Sequence, residues 1–208
     1  MEFSSSLILS DKTVHSLLKW FEPKTKELKK GETILQKDTP DSRLLLLLKG
    51  TSYLCVENKY GGRQLLDFFF KGQILFHEML PAADSGHCYL YAKYPCTVAC
   101  LDRHDLMAYL YGNPSSGLAE LLFDLLFSMT AARNEHCHIL QQKTIRGKLL
   151  AFLHEQVIRQ ENTLVRIPVP YSDLADYLAI DRSSLMTELS RMHADGVIEK
   201  RGRDIRVN

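Results

Sequence analysis

The sequence predicts an α+β fold in which an N-terminal β-roll is followed by one long helix and a C-terminal winged helix-turn-helix. Three observations predict this fold. Short apolar runs alternate with glycines in the N-terminal half, an apolar repeat with helical spacing follows, and residues 171–192 form two helical stripes joined by a tight turn. The 208 residues are 45% hydrophobic, which provides ample apolar surface for cores.

The overall composition limits where and how the protein can act. A net charge of +1 excludes a strong overall attraction to nucleic acid, so any such binding depends on the local placement of cations. No apolar run is long enough to span a bilayer, and the N-terminus lacks the basic segment and cleavage pattern of a signal peptide. Five cysteines, an odd number, are typical of reduced thiols. We therefore expect a cytoplasmic protein.

The N-terminal region predicts one helix and then a small β-roll. Ser10 is placed to cap a helix that extends to Phe21. After Pro23, strand-sized apolar runs are separated by turn residues, which is typical of a β-roll or sandwich. The predicted strands are 33–35, 44–48, 53–56, 65–70, 74–76, 89–92 and 97–101. A helical pattern over 102–110 ends at the turn sequence 113–117.

A long helix is predicted over about 114–142. Its apolar positions follow alternating steps of four and three residues, the heptad spacing of a coiled coil. They are Leu118, Leu122, Leu125, Met129, Ala132, His136 and Ile139. Such a face could pack on the chain's own β-roll, but a strict 3.5-residue period favours pairing with the same helix of a second subunit. His136 would then be a polar interface residue that fixes the register.

Residues 171–192 predict a helix-turn-helix. The turn at 179–181 is short, and Asp181 is placed to cap the second helix by accepting from the backbone of Ser183 or Ser184. The apolar stripes of the two helices consist of Leu174, Ala175, Leu178, Leu185, Leu189 and Met192. The outer face of the second helix is polar, as a helix that enters a DNA major groove requires.

Cations on the second helix and on a following hairpin predict how this region would hold DNA. Arg182 carries a guanidinium that can bind guanine O6 and N7. The hairpin, around residues 197–207, predicts the wing of a winged helix, and its tip cations are natural phosphate contacts. The complete set of predicted DNA contacts is Arg182, Ser183, Ser184, Met186, Thr187, Arg191, Lys200, Arg201 and Arg203.

The order of these parts resembles the cyclic-AMP receptor and fumarate-nitrate regulator (Crp/Fnr) superfamily of bacterial transcription factors. The segments that carry the resemblance are 30–34, 48–50, 72–73, 146–153, 172–178 and 181–185. It implies a cyclic-nucleotide-binding-type β-roll, a double-stranded β-helix or jelly roll, at 1–112. It further implies a dimerisation helix at 113–142 and a winged-helix DNA-binding domain at 143–208.

The resemblance also implies a function. The protein would be a sequence-specific transcription regulator, an activator or a repressor and not an enzyme. It would bind a palindromic operator as a homodimer, with RNA polymerase as a partner if it activates. Arg182 would contact a base. Ser183 stands where several members carry a second base-reading residue, often glutamate, and Thr187 stands where many carry arginine. The operator half-site is therefore expected to differ from the best-known ones.

The effector region departs from the pattern of members that bind cyclic nucleotides. Those members carry a Gly-Glu pair and then an Arg-Ser pair that holds the phosphate. Here residues 75–78 are Leu-Phe-His-Glu and residues 85–88 are Ser-Gly-His-Cys, with no arginine nearby. A buried phosphate without a cationic partner is costly, so we expect no cyclic-nucleotide binding. The candidate pocket residues are Phe70, Leu75, Phe76, His77, Glu78, His87 and Cys88.

Alternatives stay open for the β-roll. Iron–sulfur members carry clustered cysteines near the N-terminus, whereas none precedes Cys55 here. His77 lies where haem-binding relatives place an axial ligand, so haem is possible, as are a small apolar ligand and an empty scaffold. A metal-dependent cupin-like enzyme using His77, Glu78 and His87 is the rival from another class. Cupin ligands normally form a tighter His-x-His set, so no resident metal or cofactor is predicted.

Overall fold

The computed structural model describes residues 8–37, 43–57, 60, 62–80 and 87–208, without the side chain of Glu78. The chain forms two compact units. One consists of Ile8–Phe123, and the described part of the other is Asp124–Asn208.

The N-terminal unit opens with helix α1 (Asp11–Phe21), which begins where the sequence predicts. Ser10 adopts an extended backbone, and its hydroxyl accepts from the backbone N–H of Thr13 at 3.1 Å. The helix buries Val14 and Leu17 and ends at Glu22 in a left-handed conformation.

Two four-stranded antiparallel sheets form the predicted β-roll. The first has the order β1-β8-β3-β6 and the second the order β2-β7-β4-β5. The strands are β1 (Lys24–Leu28), β2 (Thr33–Gln36), β3 (Leu44–Lys49), β4 (Thr51–Glu57), β5 (Arg63–Phe70), β6 (Ile74–Phe76), β7 (His87–Ala92) and β8 (Cys96–Leu101). Sequence reasoning missed β1, because four of its five side chains are exposed and an edge strand carries little apolar pattern.

Gly50 shows why glycines separate these strands. It joins β3 to β4 with a φ of +93°, and a Cβ at this position would lie 2.3 Å from the carbonyl oxygen of Pro95. Both the backbone conformation and the close approach therefore require glycine.

Two helices follow the sheets. Helix α2 (Arg103–Gly112) is capped by Asp102, whose carboxylate accepts from the backbone N–H of His104 at 2.7 Å. Helix α3 (Leu118–Leu140) is the long helix predicted over 114–142.

The C-terminal unit is a winged helix-turn-helix, as predicted. Helix α4 (Ile145–Gln160) is capped by Thr144, and it is followed by β9 (Leu164–Arg166), α5 (Tyr171–Tyr177), α6 (Arg182–Ala194), β10 (Ile198–Arg201) and β11 (Asp204–Val207). The sheet order is β10-β11-β9, so the strand next to the two prolines lies at an edge, where proline is tolerated. Fully buried core side chains include Phe152, Leu153, Leu174, Leu185, Leu189, Met192, Ile198 and Ile205.

Candidate functional site

The turn between α5 and α6 is closed by hydrogen bonds from two directions. Ala179 has a φ of +50°, and the backbone N–H of Ile180 returns to the carbonyl of Ala175 at 3.0 Å. From α4, the ammonium of Lys148 donates to the carbonyl of Leu178 at 2.9 Å and lies 3.5 Å from that of Ala179. A cation at the C-terminal end of a helix satisfies carbonyls that lack a helical partner. The turn is therefore held by α4 as well as by its own backbone.

Asp181 caps α6 as the sequence predicts. Its carboxylate accepts from the backbone N–H of Ser184 at 3.0 Å and from the hydroxyl of Ser183. These hydrogen bonds, that of Ser183 first, lower the pKa of Asp181. The hydroxyl of Ser183 thus belongs to the cap, and it would have to turn away from Asp181 to contact a base.

The faces of α6 divide as a recognition helix requires. Leu185, Leu189 and Met192 are buried against the rest of the unit. The exposed predicted contacts are Arg182, Ser183, Thr187 and Arg191, whereas Ser184 and Met186 are half-buried. A polar outer surface over an apolar inner stripe lets one helix pack on its domain and still present side chains to a groove.

An ion-pair network that sequence reasoning missed holds α6 against α4. Arg146 lies in the first turn of α4, and its guanidinium lies 2.5 Å from Oε1 of Glu188 and 2.6 Å from Oδ2 of Asp195. Glu188 also lies 3.8 Å from the guanidinium of Arg191. No local pattern could reveal the pairs that Arg146 makes, because Arg146 and Glu188 are 42 residues apart. The network fixes both the middle and the end of α6.

The wing is tied to the start of α5. The hydroxyl of Tyr171 donates to the carbonyl of Gly202 at 2.6 Å, at the turn between β10 and β11. Burial raises the pKa of Tyr171 to about 12, so the phenol keeps the proton that it donates. The ammonium of Lys200 lies 5.3 Å from the centre of the Tyr171 ring. Of the predicted wing contacts, Arg201 is exposed, whereas Lys200 and Arg203 are half-buried.

The candidate effector residues lie on different elements of the β-roll. Phe70 is on β5 and His87 and Cys88 are on β7, in the second sheet, whereas Leu75 and Phe76 are on β6 in the first sheet. Leu75 and Cys88 are buried, Phe70 and Phe76 are half-buried, and His87 is exposed. Burial raises the pKa of Cys88 to about 11. The side chain of Glu78 and residues 81–86 lie outside the described residues.

The histidines of the metal and haem alternatives are not gathered into a site in the part of the chain that the structure describes. Nε2 of His77 lies 3.0 Å from the carbonyl oxygen of Lys37, so this nitrogen already has a backbone partner. Among the described residues, no group of three or more His, Cys, Asp or Glu side chains could hold a metal ion. Those residues do not include Glu78, whose side chain lies outside the described part of the chain.

Arg63 is a cation of this region that sequence reasoning missed. From β5 it reaches across the second sheet, where its guanidinium lies 4.5 Å from the centre of the Tyr91 ring. It donates to the sulfur of Cys55 at 3.3 Å and to the hydroxyl of Tyr91. A guanidinium is thus present on the sheet that carries His87, although no arginine lies near His87 in the sequence.

The predicted heptad positions of α3 are exposed to different degrees. Leu118, Leu125 and Ile139 of the predicted heptad seam are buried in the single chain, and Leu122, Met129, Ala132 and His136 are half-buried. A different set of apolar side chains is exposed, namely Phe123 (62%), Leu126 (53%) and Phe127 (63%). The helix is apolar on both sides, and a heptad count cannot tell which side faces the chain's own core.

Two family models match this chain in the order that the fold shows. The cyclic nucleotide-binding domain matches residues 25–112, and the Crp-like helix-turn-helix domain matches residues 147–208. None of the curated protein sequences matches the chain significantly. No helix in the described part of the chain is long and apolar enough to cross a membrane.

Solved structures share this fold at low sequence identity. FixK2 from Bradyrhizobium japonicum is 20% identical with a TM-score of 0.67, over 89% of this chain and 92% of that one. CLP from Xanthomonas campestris, described as a c-di-GMP responsive global regulator, is 16% identical with a TM-score of 0.64, over 95% and 99%. A cyclic nucleotide-binding domain containing protein from Listeria monocytogenes EGD-e is 13% identical with a TM-score of 0.74, over 94% and 96%. With both domains matched in sequence and the fold shared, the chain belongs to the Crp/Fnr family of DNA-binding transcription regulators.

Proposed function

We propose that this regulator binds a palindromic operator as a homodimer and contacts bases through the outer face of α6. In this proposal residues 1–112 sense an effector or act as a scaffold, residues 113–142 dimerise, and residues 143–208 bind DNA. The observation that carries the proposal is that α6 has one buried and one exposed face. Leu185, Leu189 and Met192 are buried, whereas Arg182 is exposed beside the Asp181 cap. Two such helices related by a two-fold axis match a palindromic site.

Arg182 is the residue that we assign to base reading. It is exposed in the first turn of α6, the end of a recognition helix that contacts base edges. Arg191, Lys200, Arg201 and Arg203 are assigned to phosphates, since they lie at the far end of α6 and on the wing. Ser183, Ser184, Met186 and Thr187 complete the proposed surface.

Substitution of Arg182 by alanine tests this assignment. An operator is first selected from random duplexes with the wild-type protein, and both proteins are then titrated with it and with an unrelated duplex at one salt concentration. We expect Arg182→Ala to weaken operator binding by about 1–3 kcal/mol and to spare the unrelated duplex. The control is Arg103→Ala, in α2 of the other compact unit. An equal loss on both duplexes would show that Arg182 contacts only phosphate.

We further propose that cyclic nucleotides do not control this protein. The segment in which relatives carry the phosphate-binding arginine contains Gly86 and His87 instead. The nearby guanidinium of Arg63 is engaged with Cys55 and Tyr91. A small apolar ligand is the alternative occupant of the β-roll. Calorimetric titration with cyclic AMP and cyclic GMP should give no micromolar binding. If either bound and Arg63→Gln abolished the binding, the proposal would be wrong and Arg63 would be the phosphate ligand.

A further inference from the structure

Helix α3 ends at Leu140 and α4 begins at Ile145, so residues 141–144 form the connection between the proposed dimerisation helix and the DNA-binding domain. Such a short connection could act as a hinge, through which a change in α3 would reach the recognition helix. Within the C-terminal unit, two side chains of α3 contact helices that follow this connection: His136 contacts α5 and Glu135 contacts α4.

His136 packs on the end of α5. Its imidazole lies parallel to the ring of Tyr177, with an angle of 4° between the ring planes and 3.9 Å between the ring centres. Tyr177 is buried, and Phe152 of α4 lies against it with 6.2 Å between ring centres. The stacked pair is therefore part of the core of the DNA-binding domain, although His136 belongs to α3.

His136 also completes the hydrogen bonding of α5. The last four carbonyls of a helix lack partners within the helix. Those of Leu174, Ala175 and Asp176 accept from the backbone N–H groups of residues 178–180. The fourth, that of Tyr177, lies 3.0 Å from Nε2 of His136. The next carbonyl, that of Leu178, accepts from Lys148 of α4.

Two side chains thus bond to the end of α5. His136 precedes residues 141–144 in the chain, and Lys148 follows them. A second contact runs beside this one, since the guanidinium of Arg159 in α4 lies 3.9 Å from Oε2 of Glu135. Arg146, at the start of α4, holds α6 through Glu188 and Asp195. An unbroken set of contacts therefore runs from α3 through α5 and α4 to the recognition helix.

We propose that His136 is a positioning residue that sets the orientation of the helix-turn-helix relative to α3, through its stack on Tyr177 and its bond to the Tyr177 carbonyl. This inference rests on the proposed binding of a dimer to two half-sites. In such a dimer the orientation of each helix-turn-helix relative to α3 determines the distance between the recognition helices, and hence the half-site spacing that the protein accepts.

Half-site spacing is a readout that a merely structural role would not change. The selected operator is remade with its half-sites one base pair closer and one base pair farther apart, and a duplex with a single half-site serves as reference. We expect the wild-type protein to bind the best spacing at least about tenfold more tightly than either neighbour. His136→Ala should reduce this preference to about threefold or less and leave single half-site binding within about twofold.

Matched variants separate the contribution of the ring stack from that of the hydrogen bond, and they control for a general loss of stability. His136→Phe retains a ring for the stack and loses the donor, so its spacing preference should lie between those of the wild type and His136→Ala. Tyr177→Leu removes the stack and leaves the backbone carbonyl, and it should resemble His136→Phe. His154→Ala, an exposed histidine on α4, should behave as the wild type.

The possible results are distinct. An equal loss of affinity at all spacings and on the single half-site would overturn the inference, because His136 would then act only through domain stability. An unchanged spacing preference in both His136 variants would overturn it as well. A wild-type protein that binds no selected duplex would refute the proposed operator binding itself, and the inference with it.

Discussion

Ala179 is the residue at which the helix-turn-helix carries backbone strain. Its φ of +50° lies in the left-handed region, where a residue with a Cβ costs about 1–2 kcal/mol. The conformation persists because the bond from Ile180 to Ala175 and the ammonium of Lys148 close the turn around it. Alanine is a small residue, but glycine would suit this backbone conformation better.

Replacing Ala179 by glycine should therefore stabilise the protein. We expect a gain of roughly 0.5–1 kcal/mol in the free energy of unfolding, because the relief of left-handed strain exceeds the extra entropy of glycine in the unfolded chain. Urea unfolding of the variant and the wild type measures the difference. The control is Ala194→Gly at the end of α6, where the helical backbone does not favour glycine, and this change should destabilise. A loss of stability in Ala179→Gly would show that the turn tolerates alanine without strain.

At the scale of single residues, the sequence predicted local hydrogen bonds well. Ser10 and Asp181 cap the helices that their positions indicated, because an N-cap depends only on residues within one turn. The contact of Arg63 with Tyr91 and the partners of His77 and Arg146 were not predictable, since the two residues of each pair lie 28, 40 and 42 positions apart in the chain.

At the scale of elements, the packing of α3 against α5 and α4 shifts the pKa of one ring. Burial lowers the pKa of His136, and the nearby charge of Arg159 on α4 lowers it further, while the bond to the Tyr177 carbonyl opposes this shift. The neutral imidazole is therefore the form that the folded protein favours. It can still donate through Nε2 to the carbonyl, provided that the proton resides on that nitrogen.

This shift predicts a dependence of stability on pH. The ordinary pKa of histidine is about 6.5, so in an unfolded chain His136 takes up a proton before it does in the folded protein. The contribution to stability is complete above about pH 6.5, falls as the pH drops below that value, and levels off below the lowered pKa of the folded state.

Urea unfolding between pH 7.5 and pH 5 measures this dependence, with His136→Gln as the variant that cannot titrate. The loss of stability on acidification should be smaller in His136→Gln than in the wild type. His154→Gln serves as the control, since the residue is exposed on α4, and it should follow the wild type. Parallel curves for the wild type and His136→Gln would mean that His136 does not gain a proton on unfolding.

Elements were predicted where their pattern is strong, and missed where it is weak. The periodic helices and the apolar strands follow the sequence closely. Strand β1, with the sequence KTKEL, carries almost no apolar pattern, since four of its five side chains are exposed and β8 provides its hydrogen-bond partners. The pairing of β1 with β8 joins segments that are far apart in the sequence, so a local sequence pattern cannot predict it.

At the scale of the whole molecule, the proposed dimer needs an apolar surface that one chain leaves exposed. Phe123, Leu126 and Phe127 on α3 provide such a surface, whereas Leu118, Leu125 and Ile139 of the predicted seam are buried in the single chain. Clustered exposed apolar side chains mark interaction sites more often than chance exposure does. We therefore propose that Phe123, Leu126 and Phe127 lie at the centre of the dimer interface.

A charge at Leu126 should disrupt this interface. Sedimentation velocity at micromolar concentration should show a dimer for the wild type and a monomer for Leu126→Glu, because a carboxylate buried between two helices lacks a partner. Ile158→Glu is the matched control, since this side chain on α4 is 64% exposed and lies outside α3. Leu126→Glu should also lose the advantage of a palindrome over a single half-site. A dimer that persists in Leu126→Glu would place the interface elsewhere.

The sequence by itself determined the order of domains and the position of the helix-turn-helix, because these depend on periodicity, turn chemistry and caps within short windows. The class of protein followed from the resemblance of several segments to a known family. Only the tertiary structure decided which side chains of α3 are buried in the single chain and that His136 stacks on Tyr177. Only the tertiary structure brought Arg146 to Glu188 and Arg63 to Tyr91. These contacts depend on which distant parts of the chain come together. From the sequence alone, a helix that is apolar on two sides, or a single arginine, is compatible with several partners.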